Sequence, residues 1–112
     1  MKKLEIIIQP EKLEHLKSIL DENAANGLMI TNIMGYGNQK GHKKMYRGAE
    51  YGVNLLPKIK IETIVGAETA EVIIKKVVAE IQTGTYGDGK IFVYEVEDAV
   101  RIRTGERGEG AL

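Results

Sequence analysis

The stretch that decides the fold is Lys58-Ile59-Lys60-Ile61-Glu62-Thr63-Ile64-Val65, followed by Gly66 and a helical run to Ile81. Ile59, Ile61, Thr63 and Val65 alternate with Lys58, Lys60 and Glu62, the period of a strand with one buried face. From Glu68 to Ile81 the period changes. Val72, Ile73, Val77, Val78 and Ile81 recur at helical spacing, so an amphipathic helix follows the strand. Beyond it, Gly84-Thr85-Tyr86-Gly87-Asp88-Gly89 predicts a turn, Lys90 to Tyr94 a strand, and Val100 to Ile102 a last short strand before a glycine-rich, charged tail at about 103–112.

The first third of the chain repeats this pattern in different letters. Leu4-Glu5-Ile6-Ile7-Ile8 is short, β-branched and stopped by Pro10, which reads as a strand. Pro10 suits a first helical turn, and Glu11 and Glu14 suit the positive end of a helix dipole. Leu13, Leu16, Ile19, Leu20 and Ala24 then share a helical face, Gly27 is placed to end that helix, and Leu28 to Met34 reads as a second strand. Between Gly35 and Pro57 the apolar periodicity vanishes, which predicts a long loop over about residues 37–55. Loops of that length in small domains are generally functional or mobile. The order βαβ, loop, βαβ predicts an α+β, ferredoxin-like domain, an antiparallel sheet with both helices on one face. The other face is left without a helix of its own chain, and the apolar content of the strands predicts that another subunit covers it.

One domain spanning 1–112 accounts for all 112 residues. Sixteen basic residues balance sixteen acidic ones, which excludes a general nucleic-acid footprint. No cysteine is present, so disulfides, thiolate nucleophiles and Cys-based zinc sites are excluded, and two histidines, His15 and His42, cannot build a histidine-rich metal site. No apolar run approaches the roughly 18 residues of a membrane span, and Glu5 and Pro10 interrupt any signal-like segment, so the expected compartment is the cytoplasm.

Chemistry is suggested at two glycine-rich places. Gly87-Asp88-Gly89-Lys90, with Arg101 and Arg103 expected on a nearby strand end, combines a backbone nest with three cations, a set suited to phosphate. It is not a Walker A sequence, and a simple hairpin turn is the bland alternative. Gly35-Tyr36-Gly37-Asn38-Gln39-Lys40-Gly41 suits an anion or carboxylate, or else plain loop flexibility. Tyr46-Arg47-Gly48-Ala49-Glu50-Tyr51 offers exposed tyrosines as anchors or modification sites. His15 reads as a solvated helical residue, and no general base for hydrolysis is arranged.

These strings together resemble the P-II nitrogen regulatory proteins. Tyr46-Arg47-Gly48-Ala49-Glu50-Tyr51 and Thr83-Gly84-Thr85-Tyr86-Gly87-Asp88-Gly89-Lys90-Ile91-Phe92-Val93 are similar to the family's two signatures. Gln39-Lys40-Gly41-His42, Leu56-Pro57-Lys58 and Arg101-Ile102-Arg103-Thr104-Gly105-Glu106 also resemble it, so the likeness covers essentially the whole chain. It implies a cytoplasmic homotrimer that is not an enzyme, with ATP and ADP competing for clefts between subunits. Gly27, Gly35, Gly37, Glu62 and Ile64 would line the nucleotide, and Gly87, Asp88, Gly89, Lys90, Arg101 and Arg103 would complete the site. Gln39 would ligate magnesium, and Gln39, Lys40, Gly41 and Lys58 would hold 2-oxoglutarate. The loop would present itself to ammonium channels, enzymes or regulators, and Tyr51 stands where some members are uridylylated or adenylylated. Departures are specific. Met29 replaces a common threonine near the adenine, Asn38 a common arginine near the phosphates, Lys43-Lys44 a Thr-Glu pair, and Gly52 and Asn54 an apolar residue and an aspartate. They leave open a diverged accessory protein that senses adenine nucleotide alone.

Overall fold

The computed structural model describes residues 1–36, 43–46, 49–52 and 55–112, and between 36 and 54 only backbone pairing is described. Strand β1 (Lys2–Ile8) leads through a 3-10 turn (Pro10–Lys12) into helix α1 (Leu13–Glu22). Strand β2 (Met29–Tyr36), a ribbon of β3 (Lys43–Tyr46) and β4 (Ala49–Gly52), and strand β5 (Leu55–Val65) follow. Helix α2 (Ala67–Ile81), strand β6 (Lys90–Glu95) and a 3-10 turn (Gly108–Ala111) complete the order.

The main sheet runs β2-β5-β1-β6, each neighbour antiparallel. β1 and β2 therefore flank β5, while β5 and β6 flank β1, the interleaving of two split βαβ units expected from sequence. The alternation fixes the faces. Leu4, Ile6 and Ile8 stand opposite Thr63, Ile61 and Ile59, and all six are buried. Leu16, Ile19 and Leu20 of α1 and Ala70, Ile73, Val77 and Ile81 of α2 join them in one core, so both helices lie on the same face. Burying each large aliphatic side chain contributes about 1.5–3 kcal/mol, which makes this layer the main source of stability. Val72 and Val78, placed on the helical stripe by sequence, are about half exposed instead.

The opposite face carries Lys3, Glu5 and Ile7 of β1, Lys58, Lys60, Glu62 and Ile64 of β5, and Lys90, Phe92 and Tyr94 of β6. It is less apolar than the sequence reading expected, because the even positions of β5 are mostly charged. These charges are paired, across strands and along β5. Lys3 Nζ lies 3.8 Å and Lys60 Nζ 3.5 Å from Glu62 Oε1, and Lys3 sits 4.7 Å above the centre of the Tyr94 ring. The Glu5 carboxylate nearby pushes the Tyr94 pKa up.

Three expectations are corrected. Gly27 does not end α1: the helix stops at Glu22, Ala24 takes the left-handed conformation at φ 56°, and Ala25 N–H donates to Leu20 O at 3.0 Å. Asn23 Nδ2 donates to Ile19 O at 2.7 Å, and Ala25 rather than Ala24 is buried. Val100–Ile102 forms no strand. Val100 makes an isolated bridge to Arg107, and the chain folds back as Arg101 N–H donates to Glu106 O and Gly105 N–H to Arg101 O, with Gly105 at φ 74°. Ile102 is fully exposed there. The span read as one long loop also contains paired backbone. β2 and β5 extend to the pair Tyr36–Leu55, and β3 pairs with β4 from Lys43–Gly52 to Tyr46–Ala49. Backbone ladders of this kind need no apolar stripe, so periodicity could not reveal them. His15 is exposed, as expected of a solvated helical residue, and its Nε2 lies 2.9 Å from Glu80 Oε1, which links the two helices.

Candidate functional site

The Thr83–Lys90 turn is built by its own aspartate. Asp88 accepts the Thr83 N–H at 2.7 Å, the Gly84 N–H at 3.0 Å and the Thr83 hydroxyl. The Thr83 hydroxyl and backbone bonds hold the Asp88 pKa below the ordinary carboxylate value. Asp88 therefore organises the turn. The turn is then tied to the sheet. Gly87 O accepts Gln9 Nε2 at 2.9 Å and Lys58 Nζ at 3.0 Å. Gly89, at φ 116°, passes so close to β1 that a Cβ there would lie 1.9 Å from Ile7 O. Gly35 serves a similar purpose on β2, since a Cβ would meet Lys58 Cγ at 3.0 Å. Gly35, Lys58 and Gly87–Lys90 are thus brought together at one end of the sheet, with Lys90 opposite Ile7 on the helix-free face.

A second group gathers at the other end. A cleft of about 340 Å3 is lined by Gly27, Met29, Ile64, Gly66 and Leu112 among others. Glu62 stands opposite Met29 beside it. Thr63, fully buried, donates its hydroxyl to Gly27 O at 2.8 Å and fixes the entry to β2. Arg101 Nη1 donates to Glu106 Oε1 at 2.9 Å and Nη2 to the carbonyl of Leu112, a residue lining this cleft, at 3.2 Å. Arg103 is exposed on the neighbouring turn. Arg107 instead closes the tail onto Asp98, whose pKa it lowers.

The two groups do not meet within one chain. On β2, Gly35 pairs with Leu56 whereas Met29 pairs with Glu62, and six residues of strand span ~20 Å. Lys90 begins β6, and Arg101 lies beyond its far end at Glu95. The expectation that Arg101 and Arg103 lie beside Gly87–Lys90 on a strand end therefore fails inside a single chain, because the carrying strand is a turn and sits at the wrong end. Gly37, Gln39, Lys40, Gly41, His42 and Asn38 lie outside the described residues, as does the side chain of Tyr51, whose backbone pairs with Lys44 in the ribbon. Among the described residues no three His, Asp or Glu side chains cluster as metal ligands. A magnesium ion held by nucleotide phosphates, water and one protein oxygen would need no such cluster.

Sequence reasoning missed Gln9 and Thr63. Thr63 had a readable signal, being the one polar residue on the buried stripe of β5. Gln9 had none, since its partner is a carbonyl 78 positions away.

Comparison with known proteins bears on this divided arrangement. The family described as Nitrogen regulatory protein P-II matches residues 1–106. The chain belongs to that family. The Nitrogen regulatory protein P-II of Rhodospirillum rubrum is 51% identical over 112 residues, covering 100% of both chains. Those of Rhizobium meliloti and Haemophilus influenzae are 50% and 49% identical with the same full coverage. This P-II chain therefore aligns with its relatives through both ends of the sheet and through the loop. No helix among its described residues is long and apolar enough to cross a membrane.

Proposed function

We propose that this chain is a single-domain, cytoplasmic P-II signalling protein, a regulator rather than an enzyme, that works as a homotrimer. ATP or ADP would bind between copies, with the Gly87–Lys90 turn of one facing Gly27, Glu62, Ile64, Arg101 and Arg103 of the next. The observation that carries this reading is the ~20 Å separation of two half-sites along the helix-free face. Neither half alone surrounds a nucleotide, and a ring of copies completes one site per interface. ATP with magnesium at Gln39 would create a place for 2-oxoglutarate held by Gln39, Lys40, Gly41 and Lys58. The loop, with Tyr51 as its modification position, would carry the outcome to an ammonium channel, an enzyme or a regulator of nitrogen metabolism.

Complementation tests the divided site. Lys90→Ala and Arg101→Ala each remove one charge-assisted bond, so each alone weakens ATP binding roughly tenfold or more. A closed ring that mixes the two variants regains one intact site, built from the turn of one copy and the arginine of the other. Calorimetry on co-expressed, tag-purified mixed oligomers should recover a fraction of parental-affinity sites. Failure to recover any, or sedimentation as a 12.4 kDa monomer, refutes the reading.

A second reading is a diverged accessory protein that senses nucleotide alone. Met29 favours it, because its side chain is half exposed beside the cleft where a hydroxyl commonly stands. Titrating 2-oxoglutarate in the presence of ATP and magnesium separates the two.

A further inference from the structure

We infer that Gln9 is a positioning residue that keeps the Gly87–Lys90 turn in place while Lys58 is drawn to a carboxylate ligand. This rests on the proposed role of Lys58 toward 2-oxoglutarate, and it explains an arrangement the nucleotide reading leaves unused. Gly87 O accepts two side-chain donors, Gln9 Nε2 at 2.9 Å and Lys58 Nζ at 3.0 Å. A carbonyl has two lone pairs, so both bonds coexist. The two donors differ in what can take them away. A carboxylate adds charge–charge attraction to its bond with an ammonium, which the Gly87 carbonyl cannot, so an arriving dicarboxylate competes for Lys58. It has no comparable hold on the neutral amide of Gln9.

Gln9 is also the better anchored of the two. It follows β1 directly and precedes Pro10, which restricts it to the extended conformation observed, φ −69° and ψ 143°. Its carbonyl accepts the Lys12 N–H at 3.0 Å, and its side chain does no capping of the 3-10 turn. Lys58 reaches Gly87 along a flexible stem that lies against Gly35. Gly87 and Gly89 both have positive φ and no side chains of their own to hold the turn. With Lys58 gone, Gln9 is the remaining side-chain bond to the Gly87 carbonyl, and the phosphate turn keeps its place.

The test is calorimetry on the full-length protein with Gln9→Met, which keeps the side-chain length and loses the donor. With ATP and magnesium saturating, 2-oxoglutarate affinity should fall roughly three- to tenfold, the equivalent of one neutral hydrogen bond. ATP affinity without 2-oxoglutarate should fall less, because Lys58 still holds Gly87. Equal losses of both affinities, or no loss of 2-oxoglutarate affinity, overturn the inference. The double variant Gln9→Met/Lys58→Met should weaken ATP by more than the product of the single effects, and simple multiplicativity overturns the shared-carbonyl argument. A parent that binds ATP without any response to 2-oxoglutarate overturns the Lys58 role and this inference together, while leaving the nucleotide site standing. If Gln9→Met does not fold, the Gln9 side-chain amide of the parent serves instead. Its NMR signals should hold their positions and exchange protection when 2-oxoglutarate is added, and loss of protection overturns the inference.

Discussion

Replacing Gly89 by alanine should be the most damaging single-methyl change in the turn. The added Cβ would sit 1.9 Å from Ile7 O, 3.0 Å from Ile7 C and 3.3 Å from Ile8 Cα, all backbone atoms that cannot rotate aside. Relieving that contact requires a shift of ~1 Å between the turn and β1, at the point where Ile7 pairs with Lys90. The backbone adds its own cost, since φ 116° is outside the basins an L side chain prefers, worth ~1–2 kcal/mol. Displacing a well-packed backbone adds ~1–3 kcal/mol, as overpacking generally does. The total, ~2–5 kcal/mol, should lower Tm by ~10 °C or more in a domain of this size. Two controls isolate the clash. Gly84→Ala has positive φ, 82°, with nothing within 4 Å of its Cβ, so it carries the backbone cost alone. Gly27→Ala has open space and no positive φ, so it should be nearly silent. Thermal melts at one protomer concentration should rank Gly27→Ala, Gly84→Ala and Gly89→Ala in order of increasing loss. If Gly89→Ala melts with Gly84→Ala, the close approach to β1 is not what demands a glycine there.

Thr63→Val keeps the shape but removes the donor to Gly27 O, so urea unfolding should report a loss of ~1–2 kcal/mol, and a parental midpoint would show that the carbonyl finds another partner. Asp88, Glu95 and Asp98 all have lowered pKa values, from Thr83, Lys2 and Arg107 respectively. A depressed carboxylate stabilises the fold above its unfolded value and loses that contribution as pH falls through the folded one, so stability should decline as pH drops below about 4. Asp88→Asn should flatten that decline in melts taken between pH 5 and pH 2, and an unchanged slope would remove Asp88 from the account. His15→Ala should shift stability by less than ~0.5 kcal/mol, because the pair with Glu80 is exposed, and a larger loss by chemical denaturation would reveal packing the pair does not suggest.

The sheet and helices were legible because burial imposes a period. Every residue on the odd stripe of β5 from Ile59 to Val65 is buried, and the order of elements then left a split βαβ pair as the arrangement to expect. Where structure is held by backbone geometry the signal fades. Ala24 takes the left-handed position that Gly27 was expected to take, and the C-terminal segment turns at Gly105 where Val100 and Ile102 suggested a strand. The composition of the candidate site was legible from glycines and cations, but its partition was not. Sequence distance places Arg101 a short way from Lys90, whereas β6 runs between them and carries them to opposite ends of the sheet. Gln9 was hidden for a related reason, since its importance lies in a single carbonyl partner far away in the chain.

The helix-free face carries charge, and its pairing bears on whether copies can pack there. Burying an unpaired ion costs several kcal/mol, so a face with Lys3, Glu5, Lys60 and Glu62 would resist assembly if each charge stood alone. Here Glu62 already lies near two lysines, and Lys3 already rests on the Tyr94 ring. Association would bring these groups into lower dielectric with their partners in place, where the remaining attraction strengthens. Ile7, Ile64 and Phe92 between them supply apolar area to drive the contact. The same face holds both half-sites at its ends, so the surface that would join copies is also the one that would assemble the ligand pocket. A ligand bound across such a joint stabilises the assembly by the free energy of its own binding. Nucleotide status and subunit contact would then be read by one set of residues.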